Sequence, residues 1–565
     1  MKDHQHRKSR RRFLLPWIFL LCFLSAVISF HFFFTGTLLR PKLVTSSSLQ
    51  TAQMEAIAGE LSSPSSPAVS VQETVIFPDQ VLLFLKYPPS TPLFTRDTIY
   101  CVYSAPPNSS AGDDDRRRRF QLPPNSVDDD YFGRQIVRCP LSPRGSIVSL
   151  STSFNGNLPA DPTYYRWDSL AYEAMIDRDN TTIVFVKGLH LRQGKLSDPT
   201  KFKCVYGPDS AHGGPIKFFI QSDVVSIAQE IVRCQTPPAV LYMVVNENKK
   251  WDDLFKVSVR MIGKRNPVKS VARLERRFGP GPADKEHEMC ICTMLRNQAQ
   301  FLREWVVYHS RIGVGRWFIY DNNSSDDIES VIKSLVNAGH KITRQVWPWI
   351  KTQEAGFAHC ALRARDTCKW VGFIDVDEFF HLASVNSSLH DVLAKYGSRG
   401  SVVGEIRVDC LNFGPSGQKQ IPAQGVTVGY TCRLRYPERH KSLLRPEAVN
   451  ETLMSLVHHF HLKSGYKHVN LGTKTLVINH YKYQVWEVFK EKFQMRVATY
   501  VSDWQKDRNS HSKDRTPGLG TKAVEPRDWS SRFCEVKDTR LRDRVMQTFA
   551  DPKTGRLPWQ SSQFD

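Results

Sequence analysis

No lysine, arginine, aspartate or glutamate occurs between Phe13 and Phe34, a run of 22 residues. An uncharged apolar segment of this length spans the hydrocarbon core of a bilayer as a helix. A clear small-residue cleavage site is also lacking after it, and the run exceeds the usual apolar core of a signal peptide. Both features favour an uncleaved anchor over that alternative. Because basic residues precede the run, residues 1–12 are predicted to be a cytosolic tail and residues 13–35 a transmembrane signal anchor.

Large apolar side chains are scarce in residues 36–74, which are rich in serine, threonine, alanine and proline. Such a composition cannot bury a core, so this segment is predicted to be a flexible stem. Everything after it is then expected to face a lumen. Glycosylation sequons at Asn108, Asn180, Asn386 and Asn450 agree with a secretory-pathway protein. Asn322 and Asn323 also match the sequon but are expected to stay unglycosylated, because they fall in a candidate ligand site.

Helical periodicity is scarce in residues 75–247, where short strand-like runs alternate with glycine, proline and asparagine. This pattern predicts a β-rich, sandwich-like domain, with Val240–Val245 as its last strand. Two functions are open for the domain: a carbohydrate-binding module that holds a polymeric acceptor, or a purely structural support. Residues 248–286 are predicted to be a linker.

The β-rich segment contains an internal repeat. The motif around Cys101 and Cys139 recurs around Cys204 and Cys234. It predicts two related units, each closed by its own disulfide.

Cysteine pairs with zinc-finger spacing are also lacking. Cys290 and Cys292 have no second pair near them, so they are predicted to be core residues on one strand face rather than zinc ligands. Of the 12 cysteines, Cys22 lies in the predicted anchor. The remaining 11 are an odd number, so at least one is expected to have no partner within the chain.

The net charge of +21 over 565 residues would suit a nucleic-acid-binding protein. The predicted anchor argues against that class, because most of the chain would face a lumen, and no nucleic-acid partner is expected. A basic lumenal surface could instead attract acidic polysaccharide or a nucleotide diphosphate, or could simply be solvated.

Strands and helices alternate in the second half of the chain. Apolar strands are predicted at Met289–Met294, Arg316–Tyr320, Lys341–Trp347 and Trp370–Ile374, with helical segments between them. This alternation predicts a mostly parallel α/β sheet covered on both faces. Ligands of such sheets bind outside the carboxyl ends of the strands. Three polar clusters follow those ends and are expected to meet: Arg296-Asn297, Asp321-Asn322 and Asp375–Asp377.

Asp375 and Asp377 are the most informative of these residues, because they directly follow a buried strand and have Glu378 beside them. Carboxylates in this position can share a divalent cation, which can hold a diphosphate and neutralise its charge as it leaves. That chemistry is what a nucleotide-sugar-dependent glycosyltransferase needs.

Several motifs in order resemble glycosyltransferase family 92, whose plant members include galactan synthases. The resemblance covers roughly residues 285–510 and rests on residues 290–297, 301–309, 313–324, 374–379, 412–417, 438–442 and 479–481. It implies a GT-A fold over residues 287–510, followed by a C-terminal extension at 511–565. It also implies a nucleotide-sugar donor, a divalent metal and inversion at the anomeric carbon. The expected donor is UDP-galactose, the expected acceptor a cell-wall glycan such as β-1,4-galactan, and the expected location the Golgi membrane.

Candidate site residues follow from the motifs and the resemblance together. Asp375 and Asp377 are expected to bind the metal and the diphosphate, with Glu378 supporting them. His480, at the end of an apolar strand, is the expected third ligand, and manganese suits this donor set. His458, His459 and His461 are a competing histidine group. The candidates for uracil and ribose contacts are Arg296, Asn297, Asp321 and Asn322.

An inverting transfer also needs a general base to take the proton of the acceptor hydroxyl. Glu438 is the favoured candidate because it lies in a polar segment without apolar periodicity, and Asp409 is the next. Lys441 and Arg445 are candidates to stabilise the leaving diphosphate. A metal-dependent phosphohydrolase and a non-catalytic polysaccharide-binding scaffold are the alternative functions. A homodimer is among the oligomeric states that the sequence leaves open.

Overall fold

The computed structural model describes residues 69–560 except for 87–93, 105–119, 130–134, 143–145, 153–155, 158–163, 190, 192–194, 209–219, 246–254, 275–284, 399, 457 and 493–524. The predicted cytosolic tail and transmembrane anchor lie outside the described residues, as do Asn108 and most of the predicted stem. Within the described residues, no helix is both long and apolar enough to cross a bilayer. Among the described residues, the first strand begins at Ser70, so the prediction that the stem extends to residue 74 is wrong.

The first part of the β-rich region contains nine strands in two sheets. Their bounds are β1 Ser70–Ile76, β2 Gln80–Lys86, β3 Ile99–Ser104, β4 Phe120–Leu122, β5 Ser126–Asp129, β6 Gln135–Pro140, β7 Ile147–Thr152, β8 Gly156–Asn157 and β9 Tyr164–Arg166. One sheet has the order β5-β6-β2-β1-β9 and the other β4-β3-β7-β8. Alternate apolar residues of both sheets, such as Leu83 and Leu150, share one core, and Cys101–Cys139 joins the sheets across it. The sandwich predicted for this segment is therefore present.

The second part of the β-rich region is a seven-stranded sheet with the order β15-β12-β13-β14-β11-β10-β16. The bounds are β10 Leu170–Ile176, β11 Thr181–Val186, β12 Phe202–Pro208, β13 Ile220–Ala228, β14 Ile231–Gln235, β15 Phe255–Met261 and β16 Lys269–Ser270. The prediction of a linker at residues 248–286 is wrong, because β15 and β16 pair with β12 and β10 of this sheet. The predicted disulfide Cys204–Cys234 is confirmed. The prediction of a strand at Val240–Val245 is wrong, because Pro238–Val245 forms a helix, α1. A proline at the first helical position is compatible with a helix, and a short apolar run does not by itself distinguish the two structures.

A nine-stranded mixed sheet forms the α/β region, which confirms the predicted alternation. Its strands are β17 His287–Leu295, β18 Arg316–Asp321, β19 Ile342–Val346, β20 Cys368–Phe373, β21 Glu378–Leu382, β22 Val403–Asn412, β24 Arg439–Leu444, β27 Lys467–Asn470 and β28 Leu476–His480. The order is β19-β18-β17-β20-β24-β22-β28-β21, and β27 pairs with β22. The first four of these strands are parallel, and β24 runs antiparallel to both of its neighbours.

Helices cover both faces of this sheet. The helices of the α/β region include α2 Ala299–Arg311, α3 Ile328–Asn337, α4 Gln353–Ala364, α5 Leu389–Ala394, α6 Val426–Gly429 and α7 Arg540–Phe549. Along β17, Met289 and Ile291 face the core that contains α2 and α3, whereas Cys290 and Cys292 face the core that contains α4. This alternation is the period of two expected of a strand that is buried on both faces. The remaining short strands are β23 Cys432–Arg433, β25 Ser455–Leu456, β26 His459–Phe460 and β29 Val536–Lys537.

The β-rich and α/β regions share a hydrophobic core and belong to one compact unit. Tyr172 and Phe185 of the β-rich region lie against Trp347 of the α/β region, with ring centroids 6.0 and 6.2 Å apart. Trp349 lies 5.1 Å from Tyr172 and 6.1 Å from Phe84 by the same measure. The β-rich region is thus packed onto the α4 face of the sheet rather than tethered to it.

Five disulfides involve every cysteine beyond the predicted anchor except Cys410, which is buried and free. The odd count therefore predicted an unpaired thiol correctly. Cys290 and Cys292 are core residues on one strand face, as predicted, but they are also bonded, to Cys368 and Cys360 respectively.

Candidate active site

The carboxyl ends of the parallel strands meet at one edge of the α/β sheet. Leu295 pairs with Asp321 and Asp321 with Val346, so β17, β18 and β19 end at the same level. Cys292 pairs with Phe373, the last residue of β20. The segments that begin at Arg296, Asn322 and Ile374 therefore leave the sheet on the same side, as the sequence predicted.

Asp375, Asp377 and Glu378 lie in and just after the turn that joins β20 to β21. The Asp375 amide donates to Glu378 Oε2 at 2.9 Å, and the Glu378 amide donates to the Asp375 carbonyl at 3.0 Å. The Glu378 side chain is fully buried. Glu378 therefore closes the turn, and this contact fixes how the two aspartates are presented.

His480 joins this turn through strand pairing. It is the last residue of β28 and is directly opposite Glu378 on β21. His480 Nε2 lies 3.5 Å from Asp377 Oδ2, and its Nδ1 lies 3.5 Å from Glu378 Oε1. The Tyr481 amide donates to the Asp377 carbonyl at 2.8 Å, which fixes the end of β28 against the turn.

Two lysines neutralise most of the acidic charge in this cluster. Lys441 Nζ lies 2.8 Å from Asp375 Oδ2 and 2.9 Å from Glu378 Oε2, and Lys492 Nζ lies 2.8 Å from Asp377 Oδ2. Burial would raise the pKa of Asp377, but Lys492 and His480 outweigh it and hold that pKa well below its usual range. Burial would likewise raise the pKa of Asp375, and Lys441 and His458 lower it. Both aspartates are therefore ionised at neutral pH.

The carboxylates and the histidine of this cluster are of the right types for a divalent cation, although all three carboxylates are already paired with lysines. Two ligand atoms of one Mn²⁺ or Mg²⁺ ion lie about 3 Å apart, so the 3.5 Å between His480 Nε2 and Asp377 Oδ2 is compatible with shared ligation. Glu378 Oε1 is buried and makes no hydrogen bond. However, no three histidine, cysteine, aspartate or glutamate side chains of the described residues are grouped so as to hold a metal ion as they stand. A metal would have to replace Lys492 at Asp377.

Glu438 lies next to this cluster, whereas Asp409 lies farther back along a strand. Glu438 directly precedes β24, and its carboxylate accepts a hydrogen bond from the Asn412 side chain. Asn412 is the register partner of His480. Glu438 is also 46% exposed in its side chain, so a substrate hydroxyl could reach it. Asp409 lies within β22, which continues to Asn412.

The residues predicted to bind the nucleotide are brought to the same edge, but most of their polar atoms already have protein partners. Asp321 binds Arg344, at 2.9 Å to Nε and 2.7 Å to Nη2. The Asn322 side-chain amide donates to the Trp347 carbonyl at 2.7 Å. Asn297 accepts a hydrogen bond from the Ser325 amide at 2.8 Å. Arg296 has a buried Nε without a hydrogen bond. Arg296 is thus the most available of the four for a ligand, and the roles of all four stay predictions.

Asn322 and Asn323 have their amide nitrogens bonded within the fold. Asn323, which is buried, donates to the Pro348 carbonyl at 3.0 Å. These contacts support the expectation that neither asparagine carries a glycan.

Sequence reasoning missed Lys492 and underrated His458. Lys492 comes from an ordinary charged segment with no motif around it, so only the fold brings it to Asp377. The Lys441 ammonium donates to His458 Nε2 at 2.6 Å, which places His458 behind the acidic cluster. His459 instead pairs with Glu405, at 2.6 Å, and with His440, at 2.8 Å. The competing histidine group therefore does not converge on Asp377.

A cluster of carboxylates, histidine and lysines at the carboxyl edge of an α/β sheet is a site suited to glycosyl transfer from an activated sugar. Residues 285–516 match the model of glycosyltransferase family 92. The chain is 55% identical over 99% of its length, and 100% of the relative's, to a glycosyltransferase family 92 protein of Ricinus communis. Family 92 proteins of Oryza sativa subsp. japonica and Arabidopsis thaliana are 47% and 45% identical, covering 97% and 88% of this chain and 94% and 86% of theirs. The chain belongs to glycosyltransferase family 92, as its motifs predicted, and it is a glycosyltransferase.

Similarity to solved structures is much weaker. S. aureus TarS 1–349 is 12% identical, with a TM-score of 0.23 over 43% of this chain and 76% of that one. Glucosyl-3-phosphoglycerate synthase from Mycobacterium tuberculosis, solved with Mn²⁺, UDP and glucosyl-3-phosphoglycerate, is 15% identical, with a TM-score of 0.21 over 38% and 79%. These similarities are too distant to support a conclusion about this chain.

Proposed function

We propose that this glycosyltransferase transfers galactose from UDP-galactose to a cell-wall glycan such as β-1,4-galactan, with inversion at the anomeric carbon. The observation that carries the proposal is the convergence of Asp375, Asp377 and His480 with Lys441 and Lys492 at the carboxyl edge of the sheet. Such a set can receive a diphosphate group, whose negative charge needs cations around it. The galactose donor and the galactan acceptor rest on the family resemblance.

The reaction assigns a separate role to each group. The acceptor hydroxyl attacks the anomeric carbon of the donor, the bond from that carbon to the phosphate oxygen breaks, and Glu438 takes the hydroxyl proton. Lys441 and Lys492 stabilise the negative charge that develops on the leaving diphosphate. Arg296 directly follows β17, at the edge of the sheet where the nucleoside is expected.

A divalent cation, with manganese expected, completes this proposal. Asp377 and His480 would hold it, with Asp375 as the further carboxylate, and it would neutralise the diphosphate. The pairing of Asp377 with Lys492 implies that lysine and cation exchange places at that oxygen.

The cellular setting is part of the proposal. Residues 13–35 would anchor the chain in the Golgi membrane as a single-pass type II protein, with the catalytic region in the lumen. Five disulfides and a sequon at the exposed residue Asn386 agree with an oxidising, glycosylating compartment. Protease treatment of sealed vesicles tests this arrangement, and digestion of the catalytic region without detergent would rule it out.

Incubation of the purified protein with a panel of UDP-sugars, Mn²⁺ and galactan oligomers tests the activity. Elongated oligomers, with product configuration read by NMR, would support transfer and decide between inversion and retention. Release of sugar or sugar phosphate alone would indicate a phosphohydrolase. Glycan binding without turnover of any donor would indicate a scaffold. Preference for another UDP-sugar would overturn galactose but leave the proposed site standing.

A further inference from the structure

The β-rich region contacts the carboxyl edge of the α/β sheet, where the sugar donor is expected, through a closed ring of buried polar side chains. The ring passes through Asp128 and Arg138 of the β-rich region and through Arg344, Asp321 and Ser324 of the α/β region. All except Arg344 have at most 5% of their surface exposed, and Arg344 has 16% of its side chain exposed. Charged side chains this deeply buried are stable only when each has a partner of opposite charge.

Each link of the ring is a direct contact. Arg138 Nε donates to Asp128 Oδ2 at 2.9 Å, and Arg344 Nη2 donates to Asp128 Oδ1, also at 2.9 Å. Arg344 also donates to Asp321 Oδ2, and Asp321 Oδ1 accepts from the Ser324 amide at 3.0 Å. Arg138 Nη2 closes the ring by donating to the Ser324 carbonyl at 2.8 Å. Asp128 is therefore the carboxylate of the ring that accepts hydrogen bonds from both arginines.

The ring fixes the loop that follows β18 at the candidate nucleotide end of the site. The Asn297 amide donates to Ser324 Oγ at 3.0 Å, and the Ser325 amide donates to Asn297 Oδ1 at 2.8 Å. Asn297 has a positive φ of 52°, a conformation that needs support from its surroundings. Through this loop, the position of the β-rich region therefore affects Asn297, the residue next to Arg296.

We infer that Asp128 and Arg138 are positioning residues for donor binding, so that the β-rich region helps to set the affinity for the nucleotide. This inference rests on the proposed nucleotide site at the carboxyl edge of the sheet. It differs from a glycan-binding role for the same region, because it acts through the donor rather than the acceptor. Arg138 contacts the loop directly, at the Ser324 carbonyl, and Asp128 acts on the loop through Arg138 and Arg344.

Asp177 provides a matched control. It is also a buried aspartate of the β-rich region, 5% exposed against 4% for Asp128. It binds Arg233 at 2.9 Å and Arg365 of the α/β region. Arg365 follows α4, just before β20 begins, so this contact lies at the amino end of that strand and away from the donor edge. Removing either charge should disturb the packing of the two regions similarly, whereas of the two aspartates only Asp128 is linked, through Arg138 and Arg344, to the 321–325 loop.

The test compares Asp128→Asn with Asp177→Asn in the whole protein. Binding of UDP in the presence of Mn²⁺ is measured by calorimetry, with the thermal midpoint measured in parallel. Asp128→Asn should raise the Kd for UDP about tenfold, and Asp177→Asn should change it less than about twofold at a similar loss of thermal stability. Asp128→Glu, which keeps the charge, should recover most of the affinity. If Asp128→Asn does not fold, Arg138→Lys serves instead, because one ammonium cannot replace the two guanidinium nitrogens used here.

Hydrogen exchange of the unliganded proteins gives a second readout. Amides of residues 297 and 321–325 should exchange faster in Asp128→Asn than in Asp177→Asn. Equal exchange of this loop, or equal UDP affinity in the two variants, would overturn the inference. If the wild-type protein does not bind UDP at all, the proposed donor is wrong, and the exchange comparison alone decides whether Asp128 positions the loop.

Discussion

The ammonium nitrogen of Lys492 lies 2.8 Å from Asp377 Oδ2, with 15% and 10% of the two side chains exposed. At this distance Lys492 supplies the positive charge that a bound cation would bring to the same oxygen. The ammonium also lies 5.5 Å from the Phe301 ring, which can hold a cation over its face. Lysine and metal are therefore competitors for Asp377.

Replacing Lys492 should expose this competition. Lys492→Met should tighten Mn²⁺ binding about tenfold, since the cation no longer displaces a charge at close range. The same change should lower kcat for transfer, because a positive charge beside the leaving diphosphate is lost. Titration of Mn²⁺ by electron paramagnetic resonance measures the first effect and steady-state kinetics the second.

Lys490→Met is the control for Lys492→Met. Lys490 is an exposed lysine two residues away, and its substitution removes the same net charge. It should leave both quantities close to wild type. Unchanged Mn²⁺ affinity in Lys492→Met would mean that the metal does not use Asp377.

Removing the charge of Asp377 should abolish transfer without unfolding the protein. Asp377→Asn keeps the shape of the side chain but leaves Lys492 and His480 without their carboxylate, so kcat should fall at least about 100-fold. Asp375→Asn should behave similarly. Circular dichroism and the thermal midpoint check the fold. Full activity of a folded Asp377→Asn protein, or undiminished wild-type activity in excess chelator, would contradict the metal site.

The sequence was enough to predict the α/β sheet and the meeting of its strand ends. Apolar runs such as Trp370–Ile374 are long enough to be buried strands, and the polar residues after them necessarily reach one edge when the strands are parallel. His480 was expected near Asp377 because it ends an apolar strand and because the family resemblance favours a late histidine ligand, and the pairing of β28 with β21 places it there.

What the sequence could not provide were contacts between distant segments. The Asp326 carboxylate, just before α3, accepts a hydrogen bond from the Ala299 amide at the start of α2, at 2.8 Å. Lys492 and Asp377 are 115 residues apart, and nothing local in either segment indicates the other. The bond between Cys292 and Cys360 was missed for the same reason, because two core cysteines look alike whether they are bonded or free.

Glu438 and Asp409 can be distinguished as general bases. Glu438→Gln should lower kcat at least about 100-fold while the KM for the donor changes little, since a base acts only when the hydroxyl is attacked. Asp409→Asn should have a small effect, because Asp409 lies within β22, opposite His440. Kinetics with donor and acceptor varied separately provide the measurement. A large loss of kcat in Asp409→Asn with an active Glu438→Gln would reverse the assignment.

Glu304 should make the stability of the fold depend on pH. This α2 carboxyl is buried and accepts hydrogen bonds from the Val426 and Thr427 amides at 2.8 and 3.0 Å. Burial nevertheless raises the pKa of Glu304 to about 7. Because that value is above the one in the unfolded chain, the folded state keeps a proton that the unfolded state releases. The free energy of unfolding should therefore fall by up to about 3 kcal/mol between roughly pH 4.5 and pH 7.

Glu304→Gln tests this prediction, because glutamine cannot titrate. The variant should be less stable than wild type at pH 5, where one of the amides loses its acceptor, and its stability should change less as the pH rises. Denaturant unfolding between pH 5 and pH 8 gives both curves. Glu487→Gln is the control, because Glu487 is exposed. Its curve should run parallel to that of the wild type. If the Glu304→Gln curve also runs parallel, Glu304 is not the group that couples folding to pH in this range.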